Sequence, residues 1–186
     1  MDDQQIVALY WDRQEQAIDE TRAKYGPYCR RIALNILADE QDAQECENDT
    51  YLAAWNAIPP HRPKVLSTFL GKLTRRISLD RLKNRLAQKR GGDTAPLSLD
   101  ELAQCIPDGH SLSDALEAKE LAQHISAFLR TLPLRDRQIF LRRYWYCDPI
   151  AQIAAQTGWG ESKIKMNLLR TREKLREYLR KEGFFQ

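Results

Sequence analysis

The sequence predicts an all-α protein of two helical domains joined by an acidic linker. Three observations carry that expectation. Apolar residues recur at i, i+3, i+4 and i+7 through most of the chain. No segment alternates apolar and polar residues as a half-buried strand would. The sign of the charge also flips abruptly after Gly91–Gly92. With 186 residues, 42% of them apolar, the chain is long enough for one domain or two small ones with a core. The net charge of +3 conceals a strong segregation along the chain.

Residues 1–20 mix apolar and acidic side chains with helical period. In residues 25–37, Cys29, Ile32, Ala33, Ile36 and Leu37 mark one face of a buried helix, with Cys29 as a small core residue. A third helix spans 40–58. Between Asp39 and Asp49 there are six carboxylates and no Lys or Arg. Asp39 and Asp42 stand near its start, where negative charge suits the helix dipole, and Tyr51, Trp55 and Ile58 share a face. The run "IPPHRPK" ends it, because Pro59, Pro60 and Pro63 cannot continue a helix.

A long helical pattern follows over 65–90, with Leu66, Phe69, Leu70, Leu73 and Ile77 as the expected core stripe. Lys72, Arg75, Arg76 and Lys83 fall together on another face. From His61 to Arg90 there are ten Lys or Arg against one acid, Asp80. That excess exceeds routine surface solvation and points to a polyanion. The adjoining Pro-framed loop, with His61, Arg62 and Lys64 as polar donors, suits a pocket for an unstacked base.

Residues 91–118 hold six acids and no Lys or Arg. With two prolines, and a helical patch only around 99–106, this stretch reads as a linker. The domains are accordingly expected at 1–90 and 114–186, with the linker at 91–113. Residues 114–182 return to helical spacing and end in "DPIAQIAAQTGWGESKIKMNLLRTREKLR". That stretch reads as a short helix, a tight turn at 158–160 and a longer basic helix. Ala154 is the small residue where two helices cross, Gly158 the turn, and Ile164 and Leu168 the lock. This is the grammar of a helix-turn-helix. Lys163, Lys165, Asn167, Arg170 and Lys174 point away from the apolar stripe. Lys and Arg donate to guanine edges or phosphates, and Asn pairs with adenine.

Several classes are excluded. No Gly-rich phosphate loop, GxSxG or HExxH is present, so no enzyme constellation emerges. The four cysteines are far apart and the three histidines stand alone, so neither a disulfide frame nor a metal site is expected. No apolar run approaches a membrane span. The N-terminal "MDDQQIVALYWDRQEQ" lacks the pattern of a signal peptide, which gives a cytoplasmic expectation. No cofactor is expected. Without aromatic-rich strands, a sheet-type RNA binder is not favoured. A stand-alone helix-turn-helix regulator is the alternative, although it has no need of an acidic helix beside a basic one.

The order of these parts resembles a sigma-70 family RNA polymerase sigma factor of the extracytoplasmic-function type, over about residues 20–182. "DAQECENDTYLAAW" (42–55) resembles region 2.2, "FLGKLTRRISLDRLK" (69–83) regions 2.3 and 2.4, and "IAQIAAQTGWGESKIKMNLLRTREKLR" region 4.2. Gln44, Asn48, Phe69, Arg76 and Lys163 depart from the residues usual in that family, which bears on base preference. The resemblance implies a region 2 bundle and a region 4 helix-turn-helix, and a function as the sigma factor that takes bacterial core polymerase to promoters. It implies docking on the β′ clamp helices through Asp42, Glu45, Asn48 and Asp49. Recognition of the −10 element and a flipped base would fall to His61, Arg62, Lys64, Phe69, Lys72, Arg75, Arg76, Asp80 and Lys83. The −35 duplex would be read by Lys163, Lys165, Asn167, Arg170 and Lys174. The β flap and promoter DNA join the implied partners, an anti-sigma factor is a candidate one, and the nucleoid is the place of action. The linker would run near the RNA exit path, imitating the charge of the transcript. Phe69 is the only Phe, Tyr or Trp in 61–90, which predicts limited melting power and dependence on a good promoter match. The acidic N-terminal stretch, 2–20, either extends region 2 or covers its DNA-facing side.

Overall fold

The computed structural model describes residues 1–88, 98, 101–102 and 115–184. The chain divides into two compact units, Met1–Thr94 and Ala95–Gln186. Among the described residues every regular element is an α-helix. None of these helices is long and apolar enough to cross a membrane.

The first unit holds α1 (Asp3–Trp11), α2 (Gln16–Leu37), α3 (Glu40–Ala57) and α4 (Leu66–Gln88). A reciprocal cap opens α1: Gln5 N–H donates to Asp2 Oδ1 at 2.8 Å, and Asp2 N–H to Gln5 Oε1 at 2.9 Å. The helical period expected through residue 20 breaks at 12–15, where the polar run Asp-Arg-Gln-Glu has nothing apolar to bury. Arg13 turns the chain there at φ 54° and donates from Nη1 to the Trp55 carbonyl at 2.7 Å. Ile6, Val7 and Tyr10 are fully buried in one core with Cys29, Ala54, Ile58, Leu66 and Leu70. Helix α1 therefore extends the bundle. The stripe Cys29, Ile32, Ala33, Ile36 and Leu37 on α2 is buried as expected. Asp39 caps α3, accepting from Asp42 N–H at 2.8 Å.

Helix α4 corrects the expected core stripe. Its buried residues include Leu66, Leu70, Leu73, Thr74, Ser78 and Leu82, while Phe69 and Ile77 are only half-buried. The reason is a seam of small polar groups where α2, α3 and α4 meet. Thr74 Oγ1 donates to the Leu70 carbonyl at 2.9 Å, and Thr50 Oγ1 to the Cys46 carbonyl at 2.7 Å. The two hydroxyl oxygens stand 3.1 Å apart. With their donors satisfied, these hydroxyls sit in the core at little cost. Burial pushes the Cys29 thiol up to about 11 against the opposing effect of the neighbouring Thr74 hydroxyl, which leaves it an unreactive core group. Gly71 is needed for the close approach: a Cβ there would stand 2.5 Å from Tyr28 Oη.

The second unit holds α5 (Ala115–Thr131), α6 (Leu134–Tyr144), α7 (Ile150–Thr157) and α8 (Glu161–Lys181). Phe128, Ile139, Phe140, Tyr144, Ile153, Ile164, Leu168, Leu175 and Leu179 form its core. The expected lock is in place, with Ile164 and Leu168 buried. Pro133 and Pro149 precede α6 and α7, where a missing N–H costs nothing. Gly158 ends α7 in the left-handed region, φ 71°, donating its N–H to the Ala154 carbonyl at 3.0 Å. Of the expected patch at 99–106 only Glu101 and Leu102 are described, and both are helical. The rest of that patch, like most of the expected linker, lies outside the described residues.

Candidate nucleic-acid and protein interfaces

The first candidate surface is the outer side of α4 with the loop before it. His61, Arg62 and Lys64 are exposed on the loop, and Lys72, Arg76, Asp80 and Lys83 on α4. Arg75 and Phe69 are half-buried, the Phe69 ring 6.2 Å from that of His61. All nine residues expected for the downstream element thus share the loop and the uncovered part of one helix. The start of that helix is held from far away in sequence: Leu66 N–H donates to Asp3 Oδ2 at 3.2 Å.

The run of positive charge is not one surface, however. Arg81 and Arg85 turn the other way, onto α3. Arg81 reaches Glu45 at 2.6 Å, Asp42 at 3.0 Å and Asp49 at 3.5 Å. Arg85 reaches Asp42 at 3.4 Å and donates to the Leu37 carbonyl at 2.9 Å. The bonds that Arg81 donates, that to Glu45 foremost, stabilise its charged guanidinium and lower the Glu45 carboxyl below its ordinary range. Three of the four residues expected to dock on a protein, Asp42, Glu45 and Asp49, are therefore already clasped by the neighbouring helix.

What α3 leaves outward is a stripe of Glu45, Asn48, Asp49 and Leu52 at helical spacing, all exposed. Leu52, 59% exposed at its C-terminal end, was missed by charge-based reasoning. Glu47 does not belong to that stripe. It is buried, accepting from Tyr51 Oη at 2.6 Å and from Arg30 Nε at 2.8 Å, and it fixes α3 to α2.

The second candidate surface is the helix-turn-helix. Lys163, Lys165, Arg170 and Lys174 are exposed on α8. Lys163 Nζ sits 3.9 Å from the centre of the Trp159 ring, and the Arg135 guanidinium carbon 4.8 Å from it. The turn residue Trp159 thus gathers two cations at the leading edge of α8. Lys165 pairs loosely with Glu161 at 3.9 Å.

Asn167 corrects the expectation of an outward adenine reader. Its Nδ2 donates to Asp136 Oδ1 of α6 at 2.8 Å, and its Oδ1 is buried without a hydrogen-bond partner. It bridges two helices. Arg172, also passed over by sequence reasoning, lies inward with Arg143 and Tyr144 around Glu101. Arg143 Nη2 reaches Glu101 at 2.9 Å and Arg172 Nη1 at 3.3 Å, and Arg172 donates to Tyr144 Oη at 2.6 Å. Burial raises the Glu101 carboxyl, but the arginines and Tyr144 outweigh it, leaving it below its ordinary range. Among the described residues no group of three His, Cys, Asp or Glu is placed to hold a metal.

Two family models match the chain in order. The model described as Sigma-70 region 2 matches residues 22–88, and Sigma-70, region 4 matches residues 123–175. No curated protein matches the sequence. Among solved structures the chain is similar to one titled "Structure of CnrH in complex with the cytosolic domain of CnrY". It is 20% identical over 97% of this chain and 99% of that chain, with a TM-score of 0.40.

Proposed function

The chain belongs to the sigma-70 family, pairing region 2 with region 4 as factors of the extracytoplasmic-function type do, and from that premise we propose which surfaces do the work. It is an RNA polymerase sigma factor, taking bacterial core polymerase to promoters. The ordered match to region 2 and region 4 carries this reading; a stand-alone helix-turn-helix regulator has no use for the first. The protein does no bond chemistry itself. Its contribution is differential binding free energy, delivered in the bacterial cytoplasm at the nucleoid.

Each surface then has a role fitted to its chemistry. The α3 stripe, acidic at Glu45 and Asp49 and ending in the apolar Leu52, docks on basic and apolar groups of the β′ clamp helices. The loop and outer face of α4, from His61 to Lys83, engage the −10 element and a flipped base. Extruding a base costs a few kcal/mol, which pocket contacts must offset. Lys163, Lys165, Arg170 and Lys174 approach the −35 duplex, where a bidentate base contact contributes about 1–3 kcal/mol of discrimination. Asn167 is not among them, being held by Asp136. An anti-sigma factor, to silence the protein, would have to cover one of these surfaces.

The test is in vitro transcription on a promoter library with purified core polymerase, the protein added or omitted. Adding it should redirect initiation to a set of starts sharing a −35 and a −10 motif. Unchanged starts, from a protein that is folded and fails to bind core, would overturn the assignment.

A further inference from the structure

Helix α1 precedes both matched regions, yet it is built into the loop that carries the downstream readers. Asp3 accepts from Leu66 N–H at 3.2 Å, and Gln4 Nε2 donates to the Lys64 carbonyl at 3.3 Å. The guanidinium carbon of Arg62 lies 5.7 Å from the centre of the Trp11 ring. Ile6, Val7 and Tyr10 are completely buried, so the helix cannot shift without opening the core. Trp11, its last residue, is by contrast 39% exposed. Its neighbour Tyr10 does the packing, meeting Trp55 edge-on at 6.2 Å.

A large indole at the surface, beside an arginine and a basic loop, has the chemistry of a base-stacking platform. Unpaired bases stack on aromatic rings and on guanidinium planes, and cationic side chains track the phosphates between them. His61, Arg62 and Lys64 supply that positive charge and are all exposed. Within 61–90 the only other Phe, Tyr or Trp ring is Phe69, half-buried near His61. The adjacent loop residues His61 and Arg62 therefore each lean on a ring, one from α4 and one from α1.

We propose that Trp11 and Arg62 together form a stacking site for an unpaired base of the non-template strand at the downstream promoter element. This rests on the region 2 assignment above and adds to it a residue from outside the matched region. The occupant is single-stranded DNA, because an intact duplex offers no free base face to an indole. The expectation of limited melting power, drawn from a single ring in 61–90, changes accordingly: the fold brings a second ring to the loop.

The test uses holoenzyme assembled from core polymerase and the full chain, as wild type, Trp11→Leu and Trp11→Phe. The probe is a single-stranded non-template oligonucleotide of the −10 motif found in the promoter library, with 5-iodouracil placed along it. A duplex carrying the −35 motif is the control. Trp11→Leu should weaken single-strand binding about tenfold, Trp11→Phe should restore most of it, and duplex binding should stay unchanged. Photocrosslinks should map to the peptide containing Trp11. Wild-type single-strand affinity in Trp11→Leu overturns the proposal. So does an equal loss on both probes, which would mean that the ring only supports the fold. If wild-type holoenzyme holds the single strand no better than core alone, the region 2 reading falls and takes this site with it.

Discussion

The basic helices α4 and α8 look alike in sequence and divide their charge differently. Helix α4 sends Arg81 and Arg85 across to the carboxylates of α3 and keeps Lys72, Arg76 and Lys83 outside. Helix α8 sends Arg172 inward to Glu101 and Tyr144, while Arg170 and Lys174 stay outside. In region 2 the inward arginines join the helix proposed to face DNA to the one proposed to face the polymerase, so on that proposal the two functions share a set of ion pairs. In region 4 the inward arginine only secures the domain. Charge density along a helix thus reports binding capacity only after its internal partners are subtracted.

The strongest way to break this contrast is to disturb one unit and ask whether the other follows. Gly71→Leu places carbon where Tyr28 Oη now stands, 2.5 Å from a Cβ. It should cost the region 2 bundle about 3 kcal/mol. Hydrogen exchange should show protection lost in α2–α4 and kept in α6–α8; loss in both would show that the units unfold as one.

The next test compares the two inward arginines. Arg172→Ala leaves buried polar groups short of a donor and should cost about 1–3 kcal/mol in thermal unfolding. Arg81→Ala removes a more open clasp and should cost about 1 kcal/mol. By freeing Glu45 and Asp49 it should leave core-polymerase affinity unchanged or tighter, whereas Asp49→Arg should weaken it in a pull-down. If Arg81→Ala weakens docking as much as Asp49→Arg, the clasp holds the docking surface in shape rather than competing for it.

Salt dependence sharpens the outward half of the comparison. Arg170→Ala should flatten the slope for the −35 duplex by about 0.9, and Arg76→Ala that for the single-stranded −10 probe by about 0.7. Asn167→Ala should leave base preference untouched; a changed preference would mean that its side chain leaves Asp136 when DNA binds. The smallest effect is on acid stability. Glu101 has a folded pKa below its unfolded one, so its stabilisation is present above the ordinary carboxylate range and lost as pH falls through the folded value. Glu101→Gln should remove that acid-side loss from the region 4 unfolding curve.

Much of this was legible in the residues. The helices 40–58 and 65–90 lie within two residues of α3 and α4, because prolines, Asp39 and the apolar period act locally. The stripe on α2 and the lock of Ile164 and Leu168 followed from spacing alone. What was not legible is pairing between distant segments. Hydropathy ranks Thr74 below Phe69 and Ile77, yet its hydroxyl is buried because Thr50 comes to meet it. Arg81 counted toward the positive excess of 61–90 until α3 was placed beside it. Asn167 has the right residue type on the right helix, and only Asp136, 31 positions away, shows that it is occupied. The acidic N-terminal stretch offered two readings, and burial of Ile6, Val7 and Tyr10 decides for part of the bundle.

The carboxylate of Asp3 at the first turn of α4 bears on how promoter preference would be transplanted. A chimera that exchanged only residues 22–88 would inherit an α4 whose opening amide had lost its acceptor, beneath a core missing Ile6, Val7 and Tyr10. The exchangeable cassette must include α1, and engineers who cut after it should see promoters blur before they see them switch.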